Sequence, residues 1–219
     1  MIKKQLHILI LPSWYPISSM PLSGIFFKEQ VQALRRAGVK AGIVYPETRG
    51  LTNFSIKNLL NNHFHITKEL EDSVMTFRLH SWNMFPKMPK LQAIQWVYET
   101  KRLVKKYIEI NGKPDIIHAH STLWGGYTAL LLSKEYNIPY IITEHHSNFA
   151  NGLIKDWQVP YIQKSFIDAK KLIAVSSPFA KILQHYDKGK NIVVIPNAIN
   201  TDFFYFKKKN AKKNLLIYL

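Results

Sequence analysis

The segment PDIIHAHSTLWGG, residues 114–126, contains the pattern from which a fold class can be predicted. Its apolar, β-branched pair Ile116 and Ile117 follows a proline, which is typical of a short buried strand. The segment then becomes polar and glycine-rich, and residues 127–136 carry alanine and leucine at helical spacing. A strand, a tight corner and a helix form half of a βαβ unit, so this segment predicts a parallel sheet.

Histidines follow two consecutive predicted strands. His118 and His120 end the first strand, and alternation along a strand puts them on the same side. His145 and His146 follow the next apolar run, YIITE at 140–144. Ligands of open parallel sheets bind at the carboxyl ends of the strands, so we expect these imidazoles to converge on a site there.

The rest of the chain repeats the alternation of strands and helices. Apolar runs predict strands near 5–11, 40–45, 74–79, 115–119, 139–143, 171–175 and 192–195, and helices near 25–37, 91–110, 127–136, 161–169 and 179–186. This order predicts an α/β, Rossmann-like doubly wound parallel sheet over residues 1–205. Residues 46–72 are polar and receive no assignment. Residues 206–219 form a basic linker and an apolar run, which we expect to lie outside this core and to begin a second domain.

The composition limits the possible partners. Hydrophobic residues make up 47% of the 219 residues, enough for a full core, and the absence of cysteine excludes disulfides and thiolate metal sites. The 30 basic and 14 acidic residues give a net charge of +16, which indicates an anionic partner such as a phosphorylated ligand or an acidic membrane, with a solubilising surface as the alternative. No nucleic-acid-binding motif accompanies the charge. The N-terminal apolar run lacks the features of a signal peptide, so we expect a cytoplasmic protein.

Two further segments suggest contacts with anions. Ser23 and Gly24 directly precede a predicted helix, whose free N–H groups suit a phosphate, although an ordinary βα loop is the alternative. The predicted helix 91–110 lies beside an apolar loop at 81–89 and carries four cations, Lys101, Arg102, Lys105 and Lys106. Such a helix can lie on the anionic inner face of a membrane, or it can be a crossover helix with a solvated polar face.

Five short motifs, taken in order, resemble a known family. They are LRRAG at 34–38, PDIIHAHS at 114–121, IPYIITEHHS at 138–147, LIAVSSPFAKIL at 172–183 and VVIPNAINTDFF at 193–204. The chain resembles the N-terminal domain of a GT-B fold, family 4 (glycosyl transferase group 1 type) retaining glycosyltransferase. The resemblance implies transfer of a sugar from a nucleotide-sugar donor to a glycan, lipid-linked or small-molecule acceptor in cell-envelope polysaccharide synthesis. No cofactor is implied, and without the donor-binding second domain this acceptor-side half is expected to be inactive.

The resemblance also assigns roles to individual residues. It implies that His120, or its neighbour His118, contacts hydroxyl groups of the donor sugar and is catalytic. We expect His120 to lie on the rim of the sheet rather than in the core. No metal ligand is implied. The predicted substrate-binding residues are Ser23, Gly24, Ser121, His145, His146 and Asn197.

Two other interpretations of the histidines remain open. His-x-His at a strand end is a metal-ligand spacing, so His118, His120 and His145 could belong to a metal-dependent hydrolase. Such a site would need a carboxylate, for which Glu144 and Asp115 are the candidates. Alternatively, the histidines form hydrogen bonds within a binding domain that has no catalytic activity.

Overall fold

The computed structural model describes residues 5–51, 55, 56, 60, 64–187 and 189–197, and these residues form an eight-stranded sheet. The strand order is β3-β4-β2-β1-β5-β6-β7-β8, and only β3, which is antiparallel to β4, departs from the parallel direction. The strands are β1 (His7–Pro12), β2 (Lys40–Arg49), β3 (Ile66–Glu71), β4 (Val74–Trp82), β5 (Ile116–His120), β6 (Tyr140–Glu144), β7 (Lys171–Ala174) and β8 (Ile192–Val194).

Five α-helices cover the two faces of the sheet within the described residues. One face is covered by α1, whose Phe27 and Val31 pack with Ile10 and Ile43 of the sheet. The other face is covered by the remaining four helices, which share one large apolar cluster with Leu9 and Ile117 of the central strands. The helices are α1 (Ile25–Arg36), α2 (Pro89–Asn111), α3 (Tyr127–Tyr136), α4 (Val159–Asp168) and α5 (Ser177–Leu183).

The pairing of β1 with β5 positions the candidate site. These two strands lie at the centre of the sheet, and Pro12 is in register with His120. The loop that follows β1 therefore begins beside the end of β5. Because β6 is the next parallel strand, with Thr143 opposite His120, the residues after Glu144 reach the same edge. Three chain segments thus meet at the carboxyl end of the sheet, as expected for this fold class.

Most of the predicted architecture is confirmed. Each predicted strand and helix is present, with ends that differ by up to four residues, and Ser176 caps α5 by accepting a hydrogen bond from the Phe179 N–H. The strand β3 was not predicted, because Ile66–Glu71 is a largely exposed edge strand without apolar alternation. The predicted domain boundary at residue 205 and the segment 206–219 lie outside the described residues.

None of the helices in the described part of the chain combines the length and the apolar composition needed to cross a bilayer.

Candidate functional site

Ser13 joins the loop after β1 to the end of β5. Its backbone N–H donates to the carbonyl oxygen of His120 at 3.0 Å. Its hydroxyl lies 2.9 Å from that carbonyl and 3.1 Å from the carbonyl of Ser121, and it accepts a hydrogen bond from the N–H of Gly125 at 3.0 Å. One serine thereby fixes the spacing of two loops at the carboxyl edge. No local sequence pattern predicts this link, since Ser13 is one of several small polar residues in a loop.

Gly125 permits the close approach of these loops. A Cβ at this position would lie 2.7 Å from the carbonyl oxygen of Leu11 and 3.0 Å from the hydroxyl of Ser13. The first distance is shorter than any normal contact and involves backbone of the central strand, so only glycine fits without a shift of β1. The glycine pair in the corner after β5 is the sequence signal for this approach.

Glu144 holds the loops that carry the histidines. One carboxylate oxygen accepts hydrogen bonds from the N–H and the hydroxyl of Thr122 at 2.7 and 2.6 Å. The other oxygen accepts from the backbone N–H groups of His145 and His146 at 2.9 and 2.8 Å. Four hydrogen bonds satisfy this buried carboxylate, which explains why a charged residue ends a buried strand.

Three imidazoles form a connected cluster beside these loops. The rings of His118 and His120 lie 4.2 Å apart between centroids, which confirms that both point to the same side of β5. His120 Nδ1 lies 3.1 Å from His145 Nε2, and His118 Nε2 lies 2.7 Å from the hydroxyl of Thr143. The predicted convergence of histidines from two neighbouring strands is therefore present.

Burial keeps these imidazoles neutral. It lowers the pKa of His118 to about 3 and the pKa of His145 to about 4. Burial also holds the pKa of His120 well below its usual range, and the neighbouring imidazoles of His118 and His145 act in the same direction. A neutral imidazole has one donor and one acceptor nitrogen, so at pH 7 the cluster offers hydrogen bonds of both kinds without a charge.

His120 lies in the core, and the expectation that it would stand on the rim is wrong. Its side chain is completely buried, and its ring packs 4.6 Å from the ring of Phe27 on α1. The reason is that α1 crosses this face of the sheet and covers the end of β5. His145, which is hydrogen-bonded to His120, is the imidazole of this pair that reaches open clefts.

Unpaired polar atoms mark this cluster. Within the described residues, His120 Nε2 and the hydroxyl of Ser121 are buried and have no hydrogen-bond partner. His145 Nδ1 is also buried and lacks a partner with good hydrogen-bond geometry, although the side chain of Asn197 lies close enough to His145 to act on its pKa. The hydrogen bond between His120 Nδ1 and His145 Nε2 uses the donor nitrogen of one neutral ring and the acceptor nitrogen of the other. Of the two remaining nitrogens, His120 Nε2 and His145 Nδ1, one must therefore be a donor and the other an acceptor. Buried polar atoms without a partner are uncommon and need an explanation such as a ligand or an ordered water.

His145 connects two clefts that contain most of the predicted site residues. A cleft of about 320 Å³ is lined by Trp14, Ser23, His145, His146 and Ser147. A second cleft of about 230 Å³ is lined by residues that include His118, His145 and Asn197. The structure thus brings six of the predicted residues together around His145, counting His120 behind it.

Gly24 and Ser121, the two remaining predicted residues, lie behind the cleft walls. Gly24 precedes α1 with a φ of 71°, a left-handed conformation that favours glycine, and a Cβ there would meet the backbone of Trp14 at 3.0 Å. It shapes the start of α1, next to Ser23. Ser121 is buried at the start of the corner after β5.

The residues needed for the hydrolase interpretation are not assembled. Across residues 5–51 and 64–197, apart from the short undescribed gaps, no group of three His, Cys, Asp or Glu side chains is arranged to hold a metal ion. Glu144 directs its carboxylate at the loops, and Asp115 accepts a hydrogen bond from the N–H of His7 at the opposite end of β1.

This chain is similar in sequence to a protein described as a glycosyltransferase. The chain is 27% identical over 214 residues to TuaC of Bacillus subtilis (strain 168), which is described as a teichuronic acid biosynthesis glycosyltransferase. The match covers 91% of this chain and 51% of TuaC, so the chain spans about half the length of that relative.

Solved structures share the fold. Sucrose-phosphate synthase (tll1590) from Thermosynechococcus elongatus matches with a TM-score of 0.60 and 16% identity, over 90% of this chain and 92% of that chain. Anabaena Alr3699/HepE, solved in complex with UDP, matches with a TM-score of 0.57 and 15% identity, over 93% of this chain and 47% of that chain. At these identities the likeness shows the fold alone.

The family model described as Glycosyltransferase Family 4 matches residues 23–203, which include α1 and every strand from β2 to β8. The chain belongs to Glycosyltransferase Family 4.

Proposed function

We propose that this protein takes part in the transfer of a sugar from a nucleotide-sugar donor to a glycan or lipid-linked acceptor in cell-envelope polysaccharide synthesis. Membership of the family and the described role of TuaC support this proposal. The observation that carries it is the neutral cluster of His118, His120 and His145 at the carboxyl edge of the sheet. The UDP complex of Alr3699/HepE supports a UDP-sugar as the donor.

The cluster suits the binding of sugar hydroxyl groups. His145 would contact the donor sugar directly, because it lines both clefts, and His120 would fix the tautomer of His145 from behind. In a retaining transfer the leaving diphosphate can accept the proton of the acceptor hydroxyl. The protein then supplies orientation and hydrogen bonds rather than a strong base, which is consistent with the lowered imidazole pKa values.

Ser23 and the first turn of α1 would bind the anionic part of the donor. No acidic residue lies in the first turn of α1, and Gly24 offers no side-chain cap. The N–H groups of Ile25 and Phe27 already donate to the carbonyls of Leu22 and Gly24, which leaves the N–H of Phe26 for an anion. Because the chain spans about half the length of TuaC, we propose that the other donor contacts lie outside these 219 residues. The chain alone would then be inactive. The proposed chemistry uses no cofactor beyond the donor substrate.

We also propose that the protein works in the cytoplasm at the inner face of the membrane. The loop before α2 exposes Met84, Phe85 and Met88, whose relative accessibilities are 56%, 36% and 53%, beside the exposed cations Lys87 and Lys90. Apolar side chains flanked by lysines suit an anionic bilayer surface.

A flotation assay tests this placement. Vesicles with anionic lipid should carry the protein upward, and zwitterionic vesicles should not. Equal flotation of a Met84→Ser, Phe85→Ser variant would contradict this placement.

Acceptor-dependent release of UDP tests the transferase proposal. The chain alone, and the chain joined to the second half of TuaC, would be incubated separately with UDP-sugars and a membrane lipid extract. We expect UDP release that needs the extract from the joined protein, and none from the chain alone. A joined protein that folds and binds UDP but never releases it from a UDP-sugar would contradict the proposal. Stoichiometric zinc by elemental analysis would favour the hydrolase interpretation instead.

A further inference from the structure

A second groove lies at the carboxyl edge of the sheet, separate from the histidine cluster. It consists of two clefts of about 350 and 330 Å³ that share Ala93, Trp124 and Trp157 among their lining residues, and we call it the tryptophan groove. The start of α2, the corner after β5 and the turn before α4 form its walls. Trp124 and Trp157 stand at the junction of the two clefts, with stacked rings 5.6 Å apart.

The first cleft has the chemistry of a sugar-binding pocket. Trp96 lines it together with the two shared tryptophans, and four amide side chains belong to the lining: Asn83, Gln92, Gln95 and Gln158. Aromatic faces can pack against the C–H groups of a sugar ring, and amides can donate to and accept from its hydroxyls.

Gln95 is hydrogen-bonded at both ends of its amide, and the other three amides are held at one end and open at the other. The side-chain oxygens of Asn83 and Gln158 accept from the N–H groups of Phe85 and Lys155 at 3.1 and 2.8 Å. The Gln92 side-chain nitrogen donates to the Phe85 carbonyl at 2.9 Å. Among the described residues, the opposite end of each of these three amides has no hydrogen-bond partner. The three amides are therefore oriented by the backbone, with one polar atom each left for a ligand.

A buried acid fixes the floor of this first cleft. Glu99 is 3% exposed and accepts hydrogen bonds from Ser81 and Gln95 at 2.7 Å and from Thr48 at 3.3 Å. Thr48 and Gln95 both line the cleft. Their orientation is thus set before any ligand binds, which reduces the entropy lost on binding.

The second cleft is apolar and has a cation at its junction with the first. Ile94, Val97 and Leu131 line it, and Ile94 is 62% exposed although it belongs to the apolar wall. Lys90 lies 5.9 Å from the ring centre of Trp157, and no ion-pair partner for it is found among the described residues. The other lysine of this cleft, Lys101, is already paired with a glutamate.

We infer that the tryptophan groove binds a lipid-linked saccharide, which would be the acceptor of the sugar transfer. This inference rests on the proposed function. The sugar occupies the cleft lined by amides, the phosphate lies at Lys90, and the hydrocarbon chain covers Ile94 and Val97. A water-soluble glycan would leave the apolar cleft uncovered, and a simple lipid would leave the three open amides unused. A single ligand with a polar head, an anion and a chain satisfies all three parts.

This assignment is tested by calorimetric titration of the protein with a complete probe and, separately, with two fragments of that probe. Glucosyl phosphoryl farnesol carries all three parts, and glucose 1-phosphate and farnesyl phosphate are its two halves. Below micellar concentrations, we expect the whole probe to bind at least about tenfold more tightly than either half, because the two clefts act together. A whole probe that binds no more tightly than its better half would overturn the inference.

Two substitutions at exposed or half-buried positions locate the binding. Gln92→Ala should weaken the whole probe and glucose 1-phosphate but not farnesyl phosphate, and Ile94→Asp should weaken the whole probe and farnesyl phosphate but not glucose 1-phosphate. Circular dichroism checks the fold of both variants. His145→Ala is the control, since it should reduce transfer and leave binding of the probe unchanged.

The results for binding and for transfer are read separately. Wild-type binding by both Gln92→Ala and Ile94→Asp would overturn the groove assignment even if the enzyme transfers sugar. Binding that depends on both residues, without any transfer, would support the groove and contradict the proposed function.

Discussion

Replacing Gly125 with alanine should destabilise the protein by about 2 kcal/mol. The added methyl group would lie 2.7 Å from the carbonyl oxygen of Leu11. Carbon–oxygen contacts normally begin near 3.3 Å, so roughly 0.6 Å of overlap must be relieved. Leu11 is completely buried in a central strand, and its carbonyl cannot move without displacing β1. Overpacking of this kind costs about 1–3 kcal/mol.

The adjacent glycine provides a matched control. A Cβ at Gly126 would meet the Cδ1 atom of Ile142 at 2.9 Å, which is the end of a flexible side chain. The backbone of Gly126 is helical, with φ −65° and ψ −41°, and alanine favours that conformation by about 0.5–1 kcal/mol. Gly126→Ala should therefore change the free energy of unfolding by less than about 1 kcal/mol, in either direction.

Urea unfolding followed by circular dichroism measures both effects. Thermal unfolding of Gly125→Ala should in addition give a melting temperature lower by roughly 4–8 °C, the shift that about 2 kcal/mol produces in a chain of this size. Equal losses in the two variants, or a larger loss for Gly126→Ala, would refute the reasoning that the contact with β1 backbone is what requires glycine.

Two further predictions concern buried charge. Arg78→Met should cost about 1.5–3 kcal/mol in urea unfolding, because the buried Arg78 pairs with Glu71 at 2.7 Å and with Glu47 at 3.4 Å. The two half-buried carboxylates keep Lys28 at 4.0 Å and Arg49 at 3.3 Å, which limits the loss; a cost below about 0.5 kcal/mol would contradict this. Because burial lowers the pKa values of His118 and His145 to about 3 and 4, each contributes stability that is complete above the unfolded pKa of about 6.5 and is lost as the pH falls through these lower values. In an NMR titration both rings should stay neutral at pH 5, and a midpoint near pH 6.5 for either would count against their burial.

The strands were predictable because apolar, β-branched runs of four to six residues are a local signal. The parallel direction of the strands also followed from their alternation with helices, whereas the order of the strands in the sheet did not. The strand β3 carried no such signal: Ile66–Glu71 pairs only at the edge of the sheet, and none of its residues is fully buried. Its existence depends on β4 as a partner, which a local pattern cannot reveal.

The candidate site was predictable only in part. Alternation along β5 places His118 and His120 together, and parallel pairing brings His145 beside them, so the cluster follows from sequence. The burial of His120 does not, because it is produced by α1 crossing the sheet. The bridge through Ser13 and the pairing of Trp124 with Trp157 join residues from distant loops, and no local pattern specifies such contacts.

The kinetics of histidine variants test most directly whether the imidazole pair acts on the donor sugar. In the chain joined to the second half of TuaC, with a UDP-sugar as substrate, His145→Ala should lower kcat by the equivalent of about 2–4 kcal/mol, the loss typical of one preorganised donor. Its melting temperature should change little, since His145 is only partly buried. His120→Ala should lower kcat by a similar amount and also the melting temperature, because His120 is completely buried. A folded His145→Ala enzyme with a wild-type kcat would contradict the role assigned to the pair.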